Sequence, residues 1–382
     1  MRRPAAVLIL VVSSLIAVPA IAGPYEDATK AYGRGDYKTA IRLIKPLAEQ
    51  GNAKSQYNLG LMYALGQSVP QDYAEAMKWY RKAADQGHLP AQYNLGFMYA
   101  NGQGVPRDYA EAVKWYGKAA DQGYASAQYN LGRMYASGQG VPQDHAKAVK
   151  WYRKAADQGH VAAQYNLGFI YANGQGVPRD YAEAVKWYGK AADQGNASAQ
   201  YNLGHMYESG QGVPRDDAKA LRWYRKAADQ GDASARFNLG LMYASGQGVP
   251  QDYAEAMMWY RKAADQGDAP ARYNLGLMYA LGQGVPQDHA EAAKWYRKAA
   301  DQGDANAQFN LGLMYGKGQG VPQDFVQSHM WFTLAASRFP ASEKEKREMA
   351  RSNVDVAASN MTPAQIAEAQ KLAREWKPKK ER

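Results

Sequence analysis

The chain contains no cysteine, which excludes a disulfide framework, a catalytic thiolate and a cysteine-ligated metal. Histidine is scarce, with six copies, and no two of them are spaced as H-x-x-x-H or H-E-x-x-H, so no metal site is predicted. The motifs G-x-S-x-G and S-x-x-K are also absent, which leaves no candidate for a catalytic nucleophile. We therefore expect neither an enzyme nor a protein that binds a cofactor.

Concentrated charge of one sign is also lacking, although the formal net charge is +10. Residues 89–124 carry three cations and three carboxylates, and the last segment, 341–382, has an excess of only three positive charges. A protein that binds nucleic acid usually gathers its cations in a patch or stripe. We therefore expect no nucleic-acid partner.

Long apolar runs are missing after the first 22 residues. In that segment Arg2 and Arg3 precede an apolar stretch at 5–18, and Ala20-Ile21-Ala22 fits a small-x-small cleavage site. This pattern predicts a secretory signal peptide at 1–22 and a periplasmic or secreted protein that does not insert into the membrane after cleavage. The alternative is an uncleaved anchor, but the stretch is short for a membrane span and is interrupted by serine and proline.

What the sequence does contain is a repeat of 36 residues, in eight regular copies. Self-similarity at a fixed period of this size is the signature of a solenoid, in which each unit packs mainly on its neighbours. One tryptophan and one proline mark every copy, at 79, 115, 151, 187, 223, 259, 295, 331 and at 70, 106, 142, 178, 214, 250, 286, 322. The sequence therefore predicts a chain built from stacked, nearly identical units.

Each copy is predicted to form two helices, as the second copy illustrates. The first helix covers about 90–101 and ends at Gly102 in a left-handed conformation, and Pro106 lies in the connection. The second helix begins at Asp108, whose side chain caps the first turn, with Glu111 completing a capping box. The apolar positions of the two helices, which should pack inward, are Ala91, Leu95, Met98, Tyr99 and Tyr109, Ala112, Tyr116, Ala119, Ala120.

Departures from the period set the expected boundaries. Residues 23–52 align with the repeat but have a shorter connection, so they are predicted to form a degenerate N-terminal capping repeat. The eight regular repeats occupy 53–340. Residues 341–382 are predicted to form two C-terminal capping helices, which begin with capping boxes at Ser342 and Thr362, and a charged tail.

The repeat resembles two known patterns. Its L-G-x-x-Y at 95–99 and A-x-x-x-Y-x-x-A at 112–119 are similar to the tetratricopeptide repeat. The connection G-Q-G-V-P-x-D at 102–108, followed by A-x-x-W-Y-x-K-A-A-x-Q-G at 112–123, resembles the Sel-one-like repeat (SLR) family. The resemblance covers about 300 residues, and the tail at 361–370 is similar to the ending of many bacterial members.

This resemblance implies an all-α fold, a right-handed α/α superhelical solenoid of 36-residue helix pairs. It also implies a protein–protein interaction role, without catalytic residues shared across the family. Some members have been linked to β-lactam binding or hydrolysis, but those are cysteine-rich, so a β-lactam-related hydrolase is not expected here.

The positions that vary within the constant text are the candidates for recognition. On the first helix, positions 90, 94, 97 and 101 share one face, which in such solenoids lines the concave surface. We predict that this face binds a partner protein and that its asparagines offer amides to a peptide backbone; drift on a solvated stripe is the alternative. The predicted partner-binding residues are Asn94, Phe97, Asn130, Arg133, Asn166, Phe169, Asn202, His205, Asn238 and Leu241.

The function predicted from these features is a non-enzymatic interaction scaffold or adaptor of the bacterial envelope, which holds a partner segment in the groove of the solenoid. The alternative is a glycan-binding protein of cell-wall or exopolysaccharide processes, because the chain has 29 tyrosines and nine tryptophans. Since most of these aromatics occupy constant positions, we predict that they form the core. Exposed rows of them would favour the glycan alternative.

Overall fold

The computed structural model of the protein describes residues 23–379, so the predicted signal peptide at 1–22 lies outside the described residues. All regular structure in this range is helical, in twenty α-helices. The helices fall into two compact units, one ending at Gln158 and the other beginning at Gly159. The all-α class and the 36-residue helix pair predicted from the sequence are confirmed.

The first unit contains eight helices in four antiparallel pairs. They are α1 (Pro24–Gly33), α2 (Tyr37–Glu49), α3 (Ala53–Leu65), α4 (Tyr73–Asp85), α5 (Leu89–Asn101), α6 (Tyr109–Asp121), α7 (Ala125–Ser137) and α8 (His145–Asp157).

The second unit continues the pairs and ends with two helices outside the period. Its helices are α9 (Val161–Asn173), α10 (Tyr181–Asp193), α11 (Ala197–Ser209), α12 (Asp217–Asp229), α13 (Ala233–Ser245), α14 (Tyr253–Ala264), α15 (Ala269–Leu281), α16 (His289–Gln302), α17 (Ala305–Lys317), α18 (Phe325–Arg338), α19 (Lys344–Ala358) and α20 (Pro363–Glu375).

The helix ends follow the sequence signals, with one correction. Gly102 ends α5 in the left-handed conformation, at φ 69°. Asp108 caps α6, because its Oδ1 accepts from the backbone N–H groups of Ala110 at 2.9 Å and Glu111 at 3.0 Å. The predicted capping box is only half formed, since the Glu111 side chain accepts from Lys114 instead, at 3.0 Å.

Small residues bring the two helices of a pair into close contact. Gly96 of α5 lies against the ring of Tyr116 on α6, so that a Cβ at this glycine would stand 2.6 Å from Tyr Cδ1. Ala112 and Ala119, one turn to either side of Tyr116, are completely buried. The inward faces predicted for both helices are therefore confirmed, and an aromatic ring over a glycine is the central contact of the pair.

Successive pairs are joined by a buried row of glutamines. In the first unit Gln92 of α5 donates from Nε2 to the carbonyl of Ala84, at 3.1 Å, and its Oε1 accepts from Gln122 at 3.0 Å. Gln128 repeats this geometry with Ala120, also at 3.1 Å. The same residue type thus satisfies a helix-end carbonyl and links neighbouring repeats.

The connection inside each pair also packs on the preceding pair. Gly104 adopts φ 73°, and a Cβ there would lie 2.7 Å from the carbonyl group of Tyr73, at the start of α4. Both the positive φ and the close approach require glycine. Ser68 holds the matching position of the first regular repeat and is the one positive-φ residue other than glycine in the described range, at φ 57°.

The last two helices differ in how they begin. The capping box predicted at Ser342 is wrong: a turn from Pro340 to Glu343 precedes α19, and the Glu343 side chain makes no cap. The box predicted at Thr362 is confirmed, since its hydroxyl accepts from the Gln365 backbone and the Gln365 side chain accepts from the Thr362 backbone.

Candidate functional site

The variable positions of the first helices differ in exposure from one repeat to the next. In the first unit Phe97 is half-buried and Arg133 is exposed. In the second unit Phe169 is 43% exposed, Leu241 is 41% exposed, and His205 is exposed as well. Within each unit these side chains extend the row from one repeat to the next. We name the row of the second unit, which consists of Phe169, His205, Leu241, Leu277 and Leu313, the ridge.

The ridge continues toward the C-terminus and gains apolar character. Leu281, which stands one turn after Leu277 on α15, is 56% exposed. At the end of the row, Leu313 lines a cavity of about 130 Å³ between α17, α18 and α19, together with Phe325 and Val356. Val356 is itself 58% exposed. Exposed apolar side chains beside a cavity are a common feature of docking surfaces.

The asparagine row lies deeper than the sequence predicted. Asn94 is 6% exposed, and Asn166, Asn202 and Asn238 are half-buried. Asn130 donates from Nδ2 to the Tyr93 hydroxyl of the preceding repeat, at 3.3 Å.

At two positions of the asparagine row the amide donates to a tyrosine of the preceding helix pair. Asn58, at the same position of α3, donates to the Tyr25 hydroxyl at 3.1 Å. The hydroxyls need hydrogen-bond partners because the tyrosines are packed between repeats. In these two repeats the amide therefore serves the joint between helix pairs and is not free to bind a peptide.

The tyrosines behave as core residues. Burial raises the pKa of Tyr57 to about 12, and it also raises the pKa of Tyr93. Their rings stack on the next aromatic of the pair, as with Tyr93 and Tyr116, whose centroids are 5.7 Å apart. These hydroxyls stay protonated at neutral pH, and the rings contribute to packing.

The tryptophans of the repeats are buried or half-buried. Trp259 and Trp331 are 1% exposed, and Trp115 is 2% exposed. A lysine three residues later covers each of seven indole rings; Lys262, for example, places Nζ 4.0 Å from the centre of the Trp259 ring. No row of indoles stands in solvent among residues 23–379.

A contact that the sequence did not predict joins the second helices. The guanidinium of Arg81 lies 5.5 Å from the centre of the Trp115 ring, in the next repeat, and donates to the Tyr99 hydroxyl at 2.6 Å. Arg261 repeats both interactions with Trp295 and Tyr279. The sequence did contain a signal for this contact. The position two residues after the tryptophan is arginine in most repeats but glycine in the second and fourth, as Gly117 and Gly189.

Neither a metal site nor a membrane-spanning helix is found among the described residues. The described residues include no group of three His, Asp or Glu side chains that could hold a metal ion. Within the same range, every helix is too short or too polar to cross a bilayer.

With this geometry established, the class of the protein follows: it is an α-helical repeat protein whose units are pairs of antiparallel helices. A family model described as the Sel1 repeat matches eight consecutive segments, at residues 53–88, 89–124, 125–160, 161–196, 197–232, 233–268, 269–304 and 305–338. The chain therefore belongs to the Sel1 repeat family, and the resemblance inferred from the sequence is confirmed. Proteins of this family are generally interaction scaffolds and are typically non-catalytic.

Two solved structures extend the likeness to most of the chain. A Sel1 repeat protein from Oxalobacter formigenes is 36% identical, with a TM-score of 0.63, and the match covers 90% of this chain and 97% of that one. The protein c5321, a protective antigen present in uropathogenic Escherichia coli strains, is 34% identical, with a TM-score of 0.55 and coverage of 88% and 94%. No curated protein matches the chain.

Proposed function

We propose that this protein is an exported, non-enzymatic scaffold that binds a segment of a partner protein along the ridge. The observation that carries the proposal is the contrast within one helix. Leu239 and Met242 of α13 are buried, whereas Leu241 between them is 41% exposed. Exposed apolar side chains that recur at one position of stacked repeats offer contacts to an extended or helical segment.

The ridge also varies in chemistry, which supports a selective role. Its members at the predicted site are Phe169, His205 and Leu241, and the first unit carries Phe97 and Arg133 at the matching positions, whereas the buried positions beside them hardly change. A binding surface needs a few apolar anchors and polar groups that discriminate between partners. The variable ridge provides both.

Site-specific photocrosslinking tests this proposal in living cells. A photoreactive phenylalanine replaces Phe169 or Leu241, and the control replaces Lys294, an exposed residue of α16. We expect the first two positions to crosslink to the same protein and the control position not to. Crosslinks of equal yield from all three positions would contradict a ridge-specific partner.

The captured partner then allows a quantitative test. F169A and L241A should each weaken binding about tenfold, as expected for the removal of an apolar anchor. F169L is the matched control, because leucine occupies this position in Leu61, Leu241, Leu277 and Leu313. Unchanged affinity for both alanine variants, at unchanged stability, would reject the ridge as the binding surface.

Glycan binding, the alternative, has less support. A glycan groove needs a row of aromatic faces open to solvent, and Trp259 and Trp331 are 1% exposed. Phe169 is the one strongly exposed aromatic side chain of the described ridge, at 43%. Binding of cell-wall or exopolysaccharide fragments that F169A abolishes would favour this second candidate.

Export is part of the proposal and has its own test. The predicted signal peptide places the mature N-terminus at Gly23 and the protein in the periplasm or outside the cell. N-terminal sequencing of the protein from a periplasmic fraction should therefore begin at Gly23. An intact Met1 in the cytoplasmic fraction would contradict export.

A further inference from the structure

Two of the regular repeats carry glycine at the position from which Arg81, Arg225, Arg261 and Arg297 cover the tryptophan of the following repeat. Trp115 follows Arg81 by 34 residues and is 2% exposed, whereas Trp151 follows Gly117 and is only half-buried. A Cβ built on Gly117 meets no atom within 4 Å, so the space directly beside this residue, from which other repeats extend an arginine, is open.

The same joint also exchanges the charge beside the tryptophan. The position four residues before the tryptophan is Glu111 in the second repeat but Lys147 in the third. Lys154, three residues after Trp151, keeps its place over the ring, with Nζ 4.1 Å from the ring centre. A partly exposed indole therefore has Lys154 over its ring and Lys147 one turn before it on α8, where the Lys147 ammonium lies 5.5 Å from the centre of the Tyr135 ring. We name this site the Gly117 notch.

The second unit contains a corresponding site, the Gly189 notch. Gly189 again has no neighbour within 4 Å of an added Cβ, and Trp223 is half-buried. Lys219 replaces the glutamate before this tryptophan, and Lys226 lies over its ring at 4.1 Å. Among the regular repeats, lysine takes the glutamate position only where the preceding repeat carries this glycine.

One tryptophan shows how an indole at this position can bind a carboxylate, although the Nε1 groups of Trp115, Trp259 and Trp295 have no hydrogen-bond partner beside the matching glutamates. In α10 the indole Nε1 of Trp187 donates to Glu183 Oε1 at 2.8 Å, and Lys186 donates to the other carboxylate oxygen at 3.2 Å. In α8 the residue matching Glu183 is Lys147, which cannot accept a hydrogen bond. The Gly117 notch thus keeps the donors of this arrangement but lacks its carboxylate.

The surrounding charges favour an anion. Helix α8 carries Lys147, Lys150, Arg153 and Lys154 against one carboxylate, Asp157. The helix cap, Asp144, lies 3.3 Å from Lys147 and neutralises part of this charge. Helix α6 in the neighbouring repeat is balanced, with two lysines and two carboxylates.

We infer that each notch binds a carboxylate side chain from an acidic segment of a partner protein. The glycine removes the side chain that covers the indole in other repeats, where Arg81 lies over Trp115 and Arg225 over Trp259. A glutamate or aspartate entering the notch would meet the indole N–H and the lysine ammonium groups, which are charge-assisted donors. The inference rests on the proposed function, since it takes the partner to be a protein, and it adds a second contact surface away from the ridge.

Binding of a synthetic oligoglutamate peptide tests the notches, with calorimetry and tryptophan fluorescence as readouts and oligoglutamine of equal length as the control. We expect the wild-type chain to bind oligoglutamate and not oligoglutamine. The affinity for oligoglutamate should fall as salt is added. K147E/K219E introduces the residue that other repeats carry there and should lose at least about tenfold in affinity.

A second variant separates a site from diffuse attraction. G117R/G189R adds two positive charges but fills both notches with the residue of the regular joints, so we expect about tenfold weaker binding. Equal or tighter binding by this variant would overturn the inference. E111K is the matched control, because it places lysine before Trp115 while Arg81 still covers that ring. A gain in affinity of E111K for oligoglutamate would also overturn the inference.

Two more comparisons complete the test. Wild-type binding to polygalacturonate without binding to oligoglutamate would assign the notches to an acidic polysaccharide and reject a protein segment. F169A/L241A should bind oligoglutamate normally, so a failure of the ridge and a failure of the notches can be distinguished. Thermal melting of each variant checks that it is folded.

Discussion

The guanidinium of Arg225 lies over the indole of Trp259, with Cζ 5.0 Å from the ring centre, and donates to the Tyr243 hydroxyl at 3.1 Å. One residue of a second helix thus contacts both helices of the next repeat. Lys262 also lies over Trp259, 4.0 Å from its centre. Two cationic side chains, Arg225 and Lys262, therefore cover the indole, and only Arg225 comes from the preceding repeat.

Replacing this arginine should weaken the solenoid measurably. R225G removes the contact with Trp259 and places glycine in a helix, and together these should cost about 2 kcal/mol of unfolding free energy. R222G, on the same helix, is the control for helix propensity alone and should cost about 1 kcal/mol. Urea denaturation measures both, and equal losses would show that the stacking contributes nothing.

The glycines of the first helices should not tolerate a methyl group. In G240A the new Cβ would stand 2.4 Å from Cδ1 of Tyr260, and such overpacking should cost about 2 kcal/mol or more. G117A provides a contrast, because its Cβ meets open space in a helix interior and should stabilise by about 1 kcal/mol. Thermal melting compares the two, and a stable G240A would refute the close ring contact.

Ser68 is expected to be a local source of strain. A serine at φ 57° adopts the left-handed conformation that glycine adopts at the matching positions of other repeats. S68G should therefore stabilise the protein by about 1 kcal/mol. G104S is the reverse comparison, and it should destabilise more strongly because its Cβ would also contact Tyr73. A loss of stability in S68G would contradict this account.

His88 should make stability depend on pH. Burial lowers the pKa of His88 in the folded state, and the positive charge of Lys54 acts in the same direction. The unfolded chain therefore binds the proton more readily, so this contribution to stability is complete above about pH 6.5 and is lost as the pH falls below it.

The variant H88N tests this dependence, since asparagine caps the matching helix at Asn52, where it accepts from Ser55 N–H at 2.9 Å. We expect H88N to be more stable by about 1 kcal/mol and to lose less stability than the wild type between pH 7 and pH 5. Parallel pH profiles for the two proteins would show that His88 does not titrate in this range.

Periodicity predicted most of the fold, because a marker repeated eight times reports the same environment each time. Gly102, Asp108, Ala112 and Tyr116 all have the positions and burial expected from their spacing. Ser342 was misjudged, since a capping signal that occurs once cannot reveal the turn that competes with it. The sequence also did not predict the contacts between repeats, such as Arg81 with Trp115, because the two residues are about 34 positions apart.

The candidate site was predicted in part for the same reason. Exposure of Phe169 and Leu241 follows from helix periodicity, because they lie outside the apolar stripe. The environment of Asn130 could not be predicted, because its Nδ2 donates to the Tyr93 hydroxyl, which lies 37 residues earlier in the preceding repeat. The notches depend on a pair of substitutions in adjacent repeats, which periodicity alone treats as drift.

The joint that lacks arginine has a consequence for how the molecule can grow. Residues 93–123 and 165–195 are almost the same text, and the glycine of each pairs with a lysine in the following repeat. Duplication of a two-repeat block therefore copies both residues of a notch, Gly117 with Lys147 or Gly189 with Lys219. Each duplication adds an anion receptor along with length, so avidity for a long acidic partner can increase by recombination, without any new side chain having to evolve.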